Sequence, residues 1–226
     1  MSDVESAREP ALEPEESNRV LRYLFNDLAG QLDRSEARQD ESVVAAVAAL
    51  KDLKPNAGMQ APRLIPVTAD LDTAITTAER QRAWRLAPNM RGLRRALRWV
   101  QNANYSGQAG FLRNYGFSLV VGPGGLMESD ALSLGFLLLT PGFHYPAHAH
   151  PAVEIYVPLT GPAQWYRDGE GWVERAPPDV IVHSSGQVHA MQAGETPLLA
   201  IWLWLGDLAT QARLVDGHPA PEPPTV

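Results

Sequence analysis

His148 and His150 stand two residues apart, and Glu154 follows four residues later. On a strand, side chains alternate, so the two imidazoles share one face. Pro151 ends that strand and Val153 opens the next. There Glu154 and Tyr156 share one face, while Val153, Ile155 and Val157 share the other. The second face is ordinary apolar packing, which leaves the first for something else. Two imidazoles and a carboxylate on adjacent strands suit a divalent cation. Any one of these histidines alone would as readily be a hydrogen-bonded core or surface residue. The set, with a carboxylate on the same face after a tight bend, favours the metal. The chain has no cysteine, so any ion is held by nitrogen and oxygen, and disulfides and thiol nucleophiles are excluded.

Short strands must position these groups. From about Asn104 onward the best candidates are Ser118–Gly122, Ala131–Thr140, Val153–Leu159, Ala163–Arg167, Trp172–Arg175, Val180–His183 and Leu198–Leu205. Glycine and proline punctuate them, as in Gly122-Pro123-Gly124-Gly125 and Gly161-Pro162. Many short strands with closely spaced turns indicate a sandwich or barrel over 106–215. Residues 16–105 read as a helical extension. Val20, Leu21, Leu24, Phe25, Leu28 and Leu32 form a stripe at helical spacing. Ser35 offers a cap to a second helix ending near Leu53, and Asp70–Leu86 and Met90–Asn102 are two further helical candidates. This extension caps the barrel or forms a homodimer surface. Residues 1–15, rich in Glu and Pro, read as a disordered tail, and 216–226 as a Pro-rich one carrying a solvent-exposed His218.

Composition narrows the function. Of 226 residues, 45% are hydrophobic and 20% charged, with a net charge of -7 and lysine only at Lys51 and Lys54. Such a chain lacks the basic footprint of a nucleic-acid binder. Its first residues lack the basic and apolar regions of a signal peptide. The longest apolar run, Leu198–Leu205, is a buried strand rather than a membrane span. The default expectation is a cytoplasmic protein without membrane or nucleic-acid partners.

The spacing resembles the first cupin motif: Gly, five residues, His-x-His, three residues, Glu, six residues, Gly. Gly142, His148, His150, Glu154 and Gly161 fill every position. The second motif, Pro-x-Gly-x-x-His-x-x-x-Asn, is met in part: Gly186 and His189 are in register, but Ser184 replaces Pro and Ala193 replaces Asn. The resemblance covers about Ser118 to Asp207. It implies a mainly β fold, a cupin (double-stranded β-helix, jelly-roll) barrel with the helical segment in front, and adds His189 to the ligands. Within cupins, Tyr145-Pro-Ala-His148-Ala-His150-Pro-Ala-x-Glu154-Ile-Tyr156, His189-Ala-Met191 and Trp204 resemble the dimethylsulfoniopropionate (DMSP) lyases, which cleave this sulfonium zwitterion to dimethyl sulfide and acrylate. That resemblance implies a metal site of His148, His150, Glu154 and His189, a base at Tyr156, and Tyr145 in the same pocket.

The implied chemistry is physically coherent. Removing a proton beside a carboxylate needs stabilisation of the charge left behind, which a divalent ion supplies as a Lewis acid. Free tyrosine has a pKa of about 10 and is a poor base unless a cation lowers it; Tyr156, two residues from Glu154, is placed to feel one. The sulfonium end suits aromatic faces, worth about 0.5–2 kcal/mol each. Ala200, Trp202 and Trp204 share a strand face opposite Leu199, Ile201, Leu203 and Leu205. Trp204 is favoured by the resemblance; Trp202 equally suits plain core packing. One of Trp165 and Tyr166 should face inward. His144 has the parity of His148 without being needed as a ligand, and His183 is expected behind the ligands. The ion is one divalent transition metal: Fe, Mn, Ni, Zn and Cu all accept such ligands. A cupin dioxygenase or isomerase, which would differ in its need for oxygen, and a non-catalytic ligand-binding cupin are the alternatives.

Overall fold

A computed structural model describes residues 10–81, 83, 85–105 and 109–215. Residues 1–9 of the acidic tail lie outside these, as does all of the Pro-rich tail with His218. The helices are α1 (Pro14–Arg34), α2 (Glu41–Asp52), α3 (Leu71–Arg80), α4 (Ala87–Leu93) and α5 (Ala109–Asn114). The strands are β1 (Trp99–Val100), β2 (Tyr115–Val121), β3 (Ser133–Leu139), β4 (His144–Ala149), β5 (Val153–Pro158), β6 (Ala163–Arg167), β7 (Gly171–Arg175), β8 (Ile181–His183), β9 (His189–Gln192), β10 (Leu198–Leu205) and β11 (Arg213–Leu214). They form two antiparallel sheets, β1-β2-β3-β10-β5-β8 and β11-β4-β9-β6-β7. This is the expected cupin barrel with helices in front of it.

The six-stranded sheet is apolar on both faces, and each face has its own core. Leu199, Ile201 and Leu203 of β10, Ile155 and Val157 of β5, and Leu134, Phe136 and Leu138 of β3 pack with Leu21, Leu24, Leu28, Val43, Ile75 and Met90 of the helices. The helical extension therefore covers the outer face of the barrel. The inner face carries Leu137, Tyr156, Trp202 and Trp204, which pack with Tyr145, Ala163, Trp165 and Met191 of the second sheet. The period of two read in β10 thus separates a helix-facing side from a cavity-facing one. Among the described residues, no helix is long and apolar enough to cross a membrane.

Several local expectations change. Ser35 does not cap the second helix. It precedes a 3-10 turn, Glu36–Gln39, and its hydroxyl bonds back to Leu32 O. The cap is Asp40, whose carboxylate accepts from Ser42 N at 2.8 Å and opens α2 with Glu41 in its first turn. The third helix stops at Arg80. The fourth ends at Leu93, and Trp99–Val100 instead pairs with Phe117 and Ser118 as β1. The apolar residues Leu93, Leu97 and Val100 keep helical spacing, but sheet pairing decides for the last of them.

One position is set by close approach. Gly135 of β3 sits opposite Trp202 of β10 and Leu119 of β2. A Cβ there would overlap Ser118 O and lie 2.7 Å from Trp202 Cζ2. The bare backbone is what lets the Trp202 ring lie across the neighbouring strand. Gly135→Ala is therefore expected to destabilise the fold by roughly 1–3 kcal/mol, the usual cost of overpacking. Chemical denaturation measures it, and an unchanged midpoint would show that β2, β3 and β10 can part without cost.

Candidate active site

Antiparallel register builds the site. Glu154 of β5 lies between Trp204 of β10 on one side and His183 of β8 on the other, while Tyr156 pairs with Trp202. On the second sheet, His148 of β4 pairs with His189 of β9. The two sheets thus bring a carboxylate and a histidine pair face to face across the barrel. Gly186, at φ +73, turns the chain ahead of β9, a conformation that suits glycine. Its N–H donates to His150 O at 2.9 Å, tying that turn to the first motif.

A kink in β4 decides which side chains look inward. The pairing of β4 with β9 shifts between Tyr145 and His148, as at a β-bulge, which resets the alternation. Tyr145 and His148 therefore both face the cavity although they stand an odd three positions apart, and their rings stack at 3.9 Å and 4°. His144, given the parity of His148 by simple alternation, is exposed and lies against Trp172 instead.

His150, Glu154 and His189 converge: one ligand atom from each lies within 4.8 Å of the others, and all three residues are buried. His150 Nε2 is 2.9 Å and His189 Nε2 3.1 Å from the same oxygen, Glu154 Oε2. His148 flanks this group, its ring 4.1 Å from that of His189, without being one of the three. The histidines share one arrangement. Nδ1 of His148 lies 2.9 Å from Pro146 O, that of His150 3.1 Å from Ala152 O, and that of His189 2.9 Å from Gln187 O. A carbonyl only accepts, so each Nδ1 carries the hydrogen and each neutral ring keeps its lone pair on Nε2. This is how second partners commonly orient metal-bound histidine. His189 Nε2 is buried with no hydrogen-bond partner among the described residues. Such an orphan beside a carboxylate and a second imidazole fits a divalent cation.

Charge in the site supports that fit. Burial alone would raise the Glu154 carboxyl, but the imidazoles of His150 and His189 hold it well below the usual carboxylate range. Burial favours neutral His150, yet the Glu154 charge raises that ring above the ordinary histidine value. The carboxylate and the ring thus stabilise opposite charges on each other, and a metal ion would take the place of that mutual attraction. Burial, reinforced by His189, pushes His148 well below the ordinary value, so it stays neutral and able to donate a lone pair. For Tyr156, burial and the neighbouring Glu154 charge hold the hydroxyl well above the usual tyrosine range. Without a cation beside it, Tyr156 is no base.

The cavity above these groups measures about 100 Å³, which suits a small molecule. Tyr145, His148, His150, Glu154, Tyr156, Trp202 and Trp204 all line it, so of the metal, base and aromatic substrate-contact candidates only His189 is missing from the lining. Trp165 answers the inward question: its ring lies 5.0 Å from Tyr156, whereas Tyr166 turns to Trp172 and Asp168. His183 is buried behind the converging groups, stacked on His189 at 4.1 Å.

Sequence reasoning missed part of the wall. Tyr115, Phe117 and Leu119 of β2 line it, and their period of two was the available signal. Tyr105 was also missed: its hydroxyl lies 2.9 Å from that of Tyr145. Burial, the largest influence, pushes Tyr105 up to about 12, so it stays protonated and can donate to Tyr145. Asn102, Leu208, Gln211 and Ala212 also line the cavity.

Comparison with known proteins agrees with this fold. DMSP lyase DddQ from Ruegeria pomeroyi is 36% identical over 102 residues, 45% of this chain and 51% of DddQ, so the match spans about half the length of that relative. A crystal structure of DddQ from Ruegeria pomeroyi DSS-3 superposes with a TM-score of 0.65 at 26% identity, covering 85% of this chain and 96% of that one. A chain from the crystal structures of the DMSP lyases RdDddP and RnDddQII shares the fold, with a TM-score of 0.66 at 17% identity over 88% of this chain and 99% of that one. The sequence profile of the dimethylsulfoniopropionate lyases matches residues 38–200, and the chain belongs to that family.

Proposed function

We propose that this protein is a metal-dependent carbon–sulfur lyase that cleaves DMSP to dimethyl sulfide and acrylate. The observation that carries the reading is the convergence of His150, Glu154 and His189 beside an aromatic-lined cavity, in a chain of the DMSP lyase family. These three residues would hold one divalent transition metal ion, with His148 flanking them. Bound there, the ion would polarise the substrate carboxylate and stabilise the charge that builds as its neighbouring C–H bond breaks.

The chain's own groups do the rest. Tyr156, on the same strand face as Glu154, accepts the proton next to the carboxylate as a phenolate. The C–H electron pair becomes the C=C bond of acrylate, and the C–S pair leaves with sulfur as neutral dimethyl sulfide. Tyr145, its hydroxyl held by Tyr105, orients the substrate at the neighbouring wall. Trp202 and Trp204 present aromatic faces to the methylated sulfur.

The test is to incubate metal-loaded protein with DMSP and assay the headspace, with and without oxygen. Equimolar dimethyl sulfide and acrylate, formed equally well anaerobically and lost on chelation, is the expected result. No dimethyl sulfide with any of the five metals would overturn the lyase reading, and turnover only in oxygen would point to a dioxygenase.

A further inference from the structure

Glu154 has two oxygens, and the barrel uses them differently. Oε2 faces Nε2 of both His150 and His189, at 2.9 and 3.1 Å. Oε1 accepts the indole N–H of Trp204 at 2.7 Å, a buried hydrogen bond. Trp204 and Glu154 are directly opposed across the β10–β5 ladder, so backbone register brings the indole beside the carboxylate. The same ring lies 4.3 Å from that of His150 at 32°. One side chain thus touches two of the three converging groups, one by a charge-assisted hydrogen bond and one by ring packing. Trp202, its neighbour on the same face, has an indole N–H with no partner among the described residues. The contrast marks the Trp204 bond as specific to its position rather than general to the aromatic wall.

We propose that Trp204 is a positioning residue of the metal centre: its indole N–H holds Oε1 of Glu154 so that only Oε2 is offered to the cation. The inference rests on the metal reading above and gives Trp204 a task beyond any contact with substrate. A carboxylate free to turn about its last bond can present either oxygen or both. Fixing Oε1 removes that freedom before the ion arrives, and satisfies an anionic oxygen that burial would otherwise leave bare. It also favours one-oxygen coordination, which leaves positions on the ion for the substrate carboxylate.

Trp204→Phe keeps an aromatic ring at this position and removes the N–H together with the rest of the pyrrole ring. Affinity for Zn(II), measured by chelator competition, is expected to fall about 10- to 100-fold, the usual effect of losing a partner of a metal ligand. The visible spectrum of the Co(II)-loaded variant should shift as the coordination changes. Wild-type affinity and an unchanged Co(II) spectrum, with a raised KM for DMSP, would overturn the proposal and leave Trp204 as a substrate contact alone. The unmodified protein separates the two layers: if it binds neither Zn(II) nor Co(II), the metal reading itself fails. Should the variant not fold, the indole N–H resonances of the ¹⁵N-labelled native protein serve instead. The resonance that Glu154→Gln displaces should move when Zn(II) is added to the native protein; failure of any indole resonance to respond overturns the assignment.

Discussion

Glu154→Ala should abolish both metal binding and release of dimethyl sulfide. Glu154 supplies the sole negative charge among the three converging groups, and it is 2% exposed. Its loss leaves two neutral imidazoles to hold a divalent ion and strips Trp204 of its acceptor. Turnover should drop by more than about 10²-fold, the scale of losing one preorganised electrostatic contact, and metal content after dialysis should fall with it. His189→Ala should behave alike, since its Nε2 is the orphan that the ion would satisfy. Full occupancy in either variant, measured by elemental analysis, would show that the ion sits elsewhere.

Tyr156→Phe separates chemistry from binding. The ring packs against Trp165 at 5.0 Å and pairs in register with Trp202; phenylalanine preserves both contacts. Metal affinity should stay within a few-fold of wild type, while kcat falls by about 10²–10⁴, the usual contribution of a positioned base. The direction of the Tyr156 shift sharpens this expectation. Burial and Glu154 raise its pKa in the protein alone, so the hydroxyl becomes a base only when a cation offsets them. Activity of the loaded enzyme should therefore rise with pH until Tyr156 is ionised, and chelation should eliminate that rise. Undiminished turnover in Tyr156→Phe would assign the proton to another group.

Much of this site was readable because strands alternate. The run Val153–Val157 assigns Glu154 and Tyr156 to one side without knowledge of the fold, and Leu198–Leu205 does the same for Trp202 and Trp204. Alternation failed in β4, where a register shift lets Tyr145 and His148 share a face. Pro146 hints at it, since a proline inside a strand is confined to edges and bulges, but the shift itself is set by pairing with β9, more than forty residues away in sequence. Tyr105 escaped for a related reason: its partner Tyr145 comes from another part of the chain. The helical segment was recognisable by its apolar stripe, but a stripe does not name what it covers. Caps were harder still. Ser35 and Asp40 are both good capping residues, and the 3-10 turn between them decides which one opens α2.

The helical layer has a consequence for how such an enzyme can change over time. Leu134, Phe136, Ile155, Ile201 and Leu203 are buried beneath it, so a barrel trimmed to its reactive half would expose an oily sheet and coalesce with its neighbours. Durability of the catalyst is thereby lodged in helices that never meet a reactant. Variation that retunes the chemistry has more room in the loop after β10, where half-buried Leu208 and exposed Gln211 border the cavity and substitution leaves the sheet's greasy underside sealed.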